Sequence, residues 1–171
     1  LWGSGDPEPR FLVRGAKVYD PREPSQDPND RSTWMFSDTA SLCQAYWLTS
    51  PLGPNRPFSS IDLVSLATAA DADEEQISLA SGLTEKRYSV NGVITGDKEP
   101  HRIASDLLTA NLGRLTWSQG IYKFQSGVPR SAVWTLNDDS ARGAIQARRN
   151  QARQDLINVV QTVFLSPERD Y

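Results

Sequence analysis

Apolar residues in this chain gather in short runs separated by proline-, glycine- and acid-rich breaks, and each run carries its own period. Phe11 to Tyr19 has strand composition, with Gly15 marking a bulge or a close approach. Asp20-Pro21-Arg22 stops it, because proline has no N–H to give to a ladder. Residues 20–33 hold three prolines, several Asp and Asn, and little that is apolar, which is the pattern of a surface loop. After Trp34-Met35-Phe36, Ser37 or Asp38 is placed to cap a helix running to about Thr49. Leu42, Ala45, Tyr46 and Leu48 give that helix its stripe. Residues 50–57 form a second breaker loop. Ser59 or Ser60 then caps a helix over about 60–72, on Ile61, Val64, Ala67 and Ala70, with Asp62 in the favourable field of its N-terminus.

Residues 71–86 are acidic and turn-like, and Arg87 to Ile94 alternates like a strand. Pro100 opens the best-marked helix. Ile103, Ala104, Leu107, Leu108 and Leu112 form one stripe, and Gly113 stands where a C-terminal glycine belongs. Leu115-Thr116-Trp117, Ser118-Gln119-Gly120 and Ile121 to Phe124 read as a hairpin. Ala132 to Leu136 reads as a further strand, Asn137 or Asp138 as the cap of a turn to Arg142, and 144–149 and 157–165 as two more strands. The order β, α, α, β, α, β, β, then short strands, lacks a βαβ repeat. It predicts an α+β fold: a mixed, mainly antiparallel sheet packed by about three helices, with long Pro-rich loops. Residues 1–10 read as a Gly- and Pro-rich linker, 11–150 as one α+β domain and 151–171 as the start of a following segment.

A length of 171 residues allows one domain, or one and part of a second. The formal net charge of −3 gives no general pull towards DNA or RNA, so direct nucleic-acid contact is not expected. Cys43 is the one cysteine, which excludes an internal disulfide; its neighbours Leu42, Gln44, Ala45 and Tyr46 make it a buried structural thiol. No apolar run approaches the roughly 20 residues of a membrane span. The first residues show no charged-then-apolar leader, so no signal peptide is expected, and both ends read as cut from a longer polypeptide.

Chemistry has few handles. His101, the single histidine, follows Pro100 in a first helical turn, without the ligands a zinc site needs, and reads as a surface side chain. No Gly-x-Ser-x-Gly elbow occurs. Asp71, Asp73 and Glu75 alternate faintly like a calcium loop, but Gln76 and Gly82 stand where glycine and glutamate are required, so the cluster reads as a solvated turn. Gly3, Gly5 and Gly15 make no phosphate loop. Asp138-Asp139 suits a helix cap. Arg142, Arg148, Arg149 and Arg153 form a basic stretch fit for an acidic partner or for solvent. Trp117 and Trp134 fall in strands and read as core, while Trp34 and Trp47 flank the first helix. No catalytic, cofactor-binding or metal-ligating residue is assigned, no cofactor is expected, and the chain reads as a non-enzyme.

Five stretches, in order, resemble a known family. Phe11 to Arg22 resembles the "VKG-KVYDPR" segment of the phage tail-tip attachment and tail-hub proteins of lambda-like siphophages. Trp34 to Leu52 is similar to their "W-x-x-NPAL-x-x-x-x-L-T-x-P-x-G" stretch, with Ser37-Asp38-Thr39-Ala40 in place of the usual Asn-Pro-Ala. Glu85 to Ile94 is similar to "E-x-RY-x-x-NGV-I". Leu107, Leu108, Gly113 and Gly120 match a following helix and hairpin, and Asp155 to Tyr171 resembles the closing "N-x-V-x-x-x-F-x-x-P-x-x-x-Y". The match rests on order and spacing from Phe11 onward.

The resemblance implies a structural part of a tail-tip or baseplate hub in the virion, made in the cytoplasm of a host bacterium. The implied partners are the other tail proteins (tail tube, distal tail, tape measure), with a homotrimer in the full-length protein and host-receptor contact left to other segments. The residues themselves leave two other classes open. A glycan-binding module would need exposed Trp or Tyr on which sugars stack. A cell-wall hydrolase would need convergent carboxylates or a metal site centred on His101.

Overall fold

A computed structural model of the chain describes residue 11 and residues 13–135. Among these residues it has an α+β architecture of three helices and three separate two-stranded antiparallel sheets. The expected single sheet is thus divided into three small pairs. One compact unit ends at Pro129, and Arg130 begins a second, of which residues 130–135 contain neither helix nor strand. The strand expected at Ala132–Leu136 does not form over its described residues. The expected linker 1–10, the cap and turn at 137–142, the strands at 144–149 and 157–165, and the segment 151–171 lie outside the described residues.

Helix α1 (Ala40–Thr49) is central, with α2 (Leu63–Asp73) and α3 (Pro100–Ala110) both packed on it. Eight of its ten residues are buried, so its apolar and small side chains must surround the axis rather than form one stripe. Val18, Leu42, Ala45, Leu48, Ile61, Leu66, Ala69, Ala70 and Phe124 make the main core. Trp47, Ile103 and Leu107 make a second cluster between α1 and α3. Under the 20–33 loop, the rings of Tyr19, Trp34 and Phe58 meet at centroid distances of 5.3–6.2 Å, adding specific aromatic geometry to burial. Gly53 follows α1 where any Cβ would strike the Trp47 carbonyl oxygen, so only glycine fits there.

Helix α2 starts three residues later than its serines predict. Ser59 and Ser60 sit in a 3-10 turn, and the Asp62 carboxylate is the cap, accepting from the N–H groups of Val64 and Ser65. The buried face rotates accordingly to Leu66, Ala69, Ala70 and Asp73, leaving Val64 78% exposed.

Strand β1 is only Lys17–Val18, paired with β2 (Met35–Phe36). The expected strand from Phe11 shrinks because β2 offers two residues of partner before the chain turns into α1. Phe11 and Val13 are exposed, and Gly15 has open space around it, with neither bulge nor close approach. The acidic stretch expected as a turn instead forms a hairpin of β3 (Gln76–Ser78) and β4 (Thr84–Lys86). Beyond it, the strand expected over 87–94 is irregular. β3 leaves α2 directly, so the ladder runs out. The N–H groups of Arg87, Tyr88 and Val90 donate instead to the carbonyls of Glu75, Asp73 and Asp38.

Helix α3 forms where expected, with Pro100 at its start and Ile103 and Leu107 buried. At its end the left-handed residue is Leu112 (φ 48°) rather than Gly113, and Leu112 is exposed, off the stripe. The hairpin β5 (Arg114–Ser118) and β6 (Ile121–Gln125) also matches expectation. Gln119 and Gly120 both carry positive φ, as a two-residue turn matching strand twist requires.

Candidate functional site

The C-terminal end of α2 places two adjacent carboxylates in opposite environments. Asp73 belongs to the buried face. Its Oδ2 accepts from the backbone N–H of Ser41 in the first turn of α1 at 2.8 Å. Its Oδ1 accepts from the Ser126 hydroxyl at 2.6 Å, and Asn111 Nδ2 approaches the same oxygen at 3.3 Å. Asn111 Oδ1 in turn accepts from Gln44 Nε2, which also donates to the Leu107 carbonyl. Ser126, following β6, accepts a further bond from Asn111. One buried polar network therefore joins α1, α2, α3 and the end of the hairpin. Every member is nearly inaccessible, with Asp73 at 0% and Asn111 at 1% exposure. A buried carboxylate at a helix N-terminus is stabilised by the free N–H groups and the positive end of the helix dipole.

This replaces the expected Ser37 or Asp38 cap. The N-cap residue of α1 is Thr39, whose side chain makes no cap bond to its own helix. Its hydroxyl accepts from Ser37 and donates to Glu74 Oε1 at 2.6 Å, so α1 is capped by the end of α2.

Glu74 faces outward, into a cleft of about 350 Å³ bordered by Arg22, Asp38, Lys86, Met35 and Phe36. Arg22 reaches it from the 20–33 loop. The guanidinium grips Asp20 through Nε and Nη2, at 2.9 and 2.7 Å, and reaches Asp71 and Glu74 through Nη1, both at 2.9 Å. The Asp20 hydrogen bond above all holds the Arg22 guanidinium more firmly protonated than usual. Lys86 joins Asp38 at 2.9 Å and Glu74 at 3.5 Å. Burial pushes the Glu74 carboxyl up, but the Thr39 and Arg22 hydrogen bonds and the charges of Arg22 and Lys86 outweigh it, and the group is held below its usual value. These charges restrain one another and tie the loop and β4 to α2.

The acidic trio expected as a solvated turn is thus divided. Asp71 is a surface partner of Arg22, Glu75 a surface partner of Arg87 at 2.8 Å, and Asp73 is the centre of the interior. The signal for Asp73 was present in the sequence: it continues the spacing of Leu66, Ala69 and Ala70 on the apolar face of α2. Cys43 packs against the core, and burial, with the fields of Asp38 and Asp73, pushes its thiol up to about 11. His101 lies exposed in the first turn of α3, 3.5 Å from Glu99. Trp34 and Trp47 are buried, whereas Trp117 and Trp134, expected in the core, are 66% and 71% exposed. Trp117 pairs with Tyr122 next to the turn of a short hairpin that, among the described residues, has no second sheet to cover it. Among the described residues no three His, Cys, Asp or Glu side chains gather as a metal site, and no helix is long and apolar enough to cross a membrane. Gly3, Gly5, Asp138-Asp139 and the basic stretch Arg142, Arg148, Arg149 and Arg153 lie outside the described residues.

Fold and site together define a small α+β unit whose elements are locked by a buried polar network and an outer charge clasp. No protein-family model matches the sequence, and no curated protein matches it.

Proposed function

We propose that this chain is a structural segment of a phage tail tip or baseplate hub, working by protein–protein contact rather than by catalysis. Its partners on this reading are other tail proteins and further copies of the full-length chain in a trimer, its place is the virion, and its purpose is to support host attachment and DNA delivery. One observation carries the proposal: residues of separate resembling stretches meet in the structure as ties between elements. Lys86 of the third stretch engages Asp38 of the second at 2.9 Å, and Lys86 and Arg22 of the first stretch meet on the shared carboxylate of Glu74. Such roles maintain shape, which is what a ring subunit requires of its side chains. Mass spectrometry of purified particles, split into head and tail fractions, tests this. The chain is expected in the tail fraction; recovery from heads, or from no particle, contradicts it.

The exposure of Trp117 beside Tyr122 favours one second reading, a glycan-binding surface on the β5–β6 hairpin. A glycan array decides it: binding that disappears in Trp117→Ala supports a sugar platform, and no binding removes it.

A further inference from the structure

A second cleft, of about 370 Å³, lies between the 28–34 segment and the loop after α1, away from the Arg22 clasp. Arg31 and Arg56 stand on its walls, Trp34 and Phe58 line it, and Asn29 and Asn55 border it. Both arginines are exposed. Among the described residues neither has a carboxylate partner, although Arg22, Lys86, Arg87 and Lys98 all do. The nearest acids in sequence are turned to the backbone. Asp30 accepts from the Ser32 N–H, and Asp27 accepts from the Asn29 N–H. No Asp or Glu lines the cleft.

The walls are held in place. The Arg31 guanidinium carbon lies 5.2 Å from the Trp34 ring centroid, which orients it by cation–π attraction. The buried Trp34 indole donates to the Asp27 carbonyl at 2.8 Å, fixing the ring to its own loop. On the other wall the Arg56 N–H donates to the Leu48 carbonyl at 2.7 Å, and Asn55 adopts a left-handed backbone (φ 52°). Two exposed guanidiniums with no carboxylate partner among the described residues, one of them oriented by the buried Trp34 ring, match a carboxylate, since guanidinium binds carboxylate through a planar fork.

We infer that this cleft is a docking site for an acidic peptide segment of a partner protein, whose Asp or Glu carboxylates pair with Arg31 and Arg56. The inference stands on the cleft alone and is independent of the tail-hub proposal. Its charge is complementary to such a segment, and its volume suits a few side chains rather than a folded surface.

The test is titration of the full chain with an Asp/Glu-rich hexapeptide, its Asn/Gln counterpart and glucuronate, followed by NMR of the Trp34 indole N–H, assigned with Trp34→Phe. The acidic peptide is expected to shift that resonance, the neutral one is not, and added salt weakens binding. Arg31→Gln with Arg56→Gln, both exposed and so compatible with an unchanged circular dichroism spectrum, weakens it about tenfold. No shift with the acidic peptide, an equal shift with the neutral one, an undiminished affinity in the double variant, or a response to glucuronate alone overturns the proposal.

Discussion

The Asp73 carboxylate at the end of α2 caps α1, accepting the Ser41 backbone N–H at 2.8 Å across 32 residues of chain. A helix that begins inside a protein cannot leave its N–H groups to water, and here the partner comes from another helix. Asp73→Ala removes the acceptor for Ser41, Ser126 and Asn111 together. A loss of about 3 kcal/mol or more is expected in urea unfolding, since each stranded buried donor costs roughly 1–3 kcal/mol. Asp73→Asn, which keeps one acceptor, is expected to lose less.

Ser41 itself gives the opposite expectation. Its hydroxyl is buried and finds no partner among the described residues, while its backbone N–H does the capping. Ser41→Ala removes an unsatisfied polar atom and improves helix propensity, so stability is expected to hold or rise by up to about 1 kcal/mol. A fall in melting temperature comparable to that of Asp73→Ala would mean that the side chain, not the backbone, holds α1.

Glu74 sets an acid limit. Its carboxyl is held below its usual value in the fold, so its contribution is complete above the unfolded value near 4.5 and is lost as pH falls through the lower folded value. The difference in stability between the native chain and Glu74→Gln is therefore expected to be constant above about pH 4.5, to shrink as pH falls below it, and to vanish only below the lower folded value. A difference that grew on acidification would contradict the clasp with Thr39 and Arg22.

Cys43 is expected to react slowly. A thiol pushed up to about 11 carries little thiolate at pH 8. Iodoacetamide labelling is expected to be slow in the native chain and to accelerate in urea as the group returns to its ordinary range. Equal rates would place the thiol in solvent.

Elements with strong local signals were legible in the sequence. Pro100 with the Ile103–Leu107 spacing, and the Gln119-Gly120 turn, define α3 and the β5–β6 hairpin whatever surrounds them. Strands were less legible, because strand composition needs a partner of equal length: Phe11 to Ala16 has the composition, and β2 has too few residues to meet it. The interior network is hidden in the sequence because Asp71, Asp73 and Glu75 read together as one acidic turn, whereas the helix carries only Asp73 inward. The Arg22 clasp joins residues about 50 positions apart, which no local pattern contains.

A density map of the parent phage tail, obtained by cryo-microscopy, tests the central proposal most directly. Residues 13–129 are expected to fit density in the ring at the distal end of the tail, with the Asp73 network intact inside each copy. Fit of these residues to the head, or tail-tip density that accommodates no such α+β unit, would contradict it.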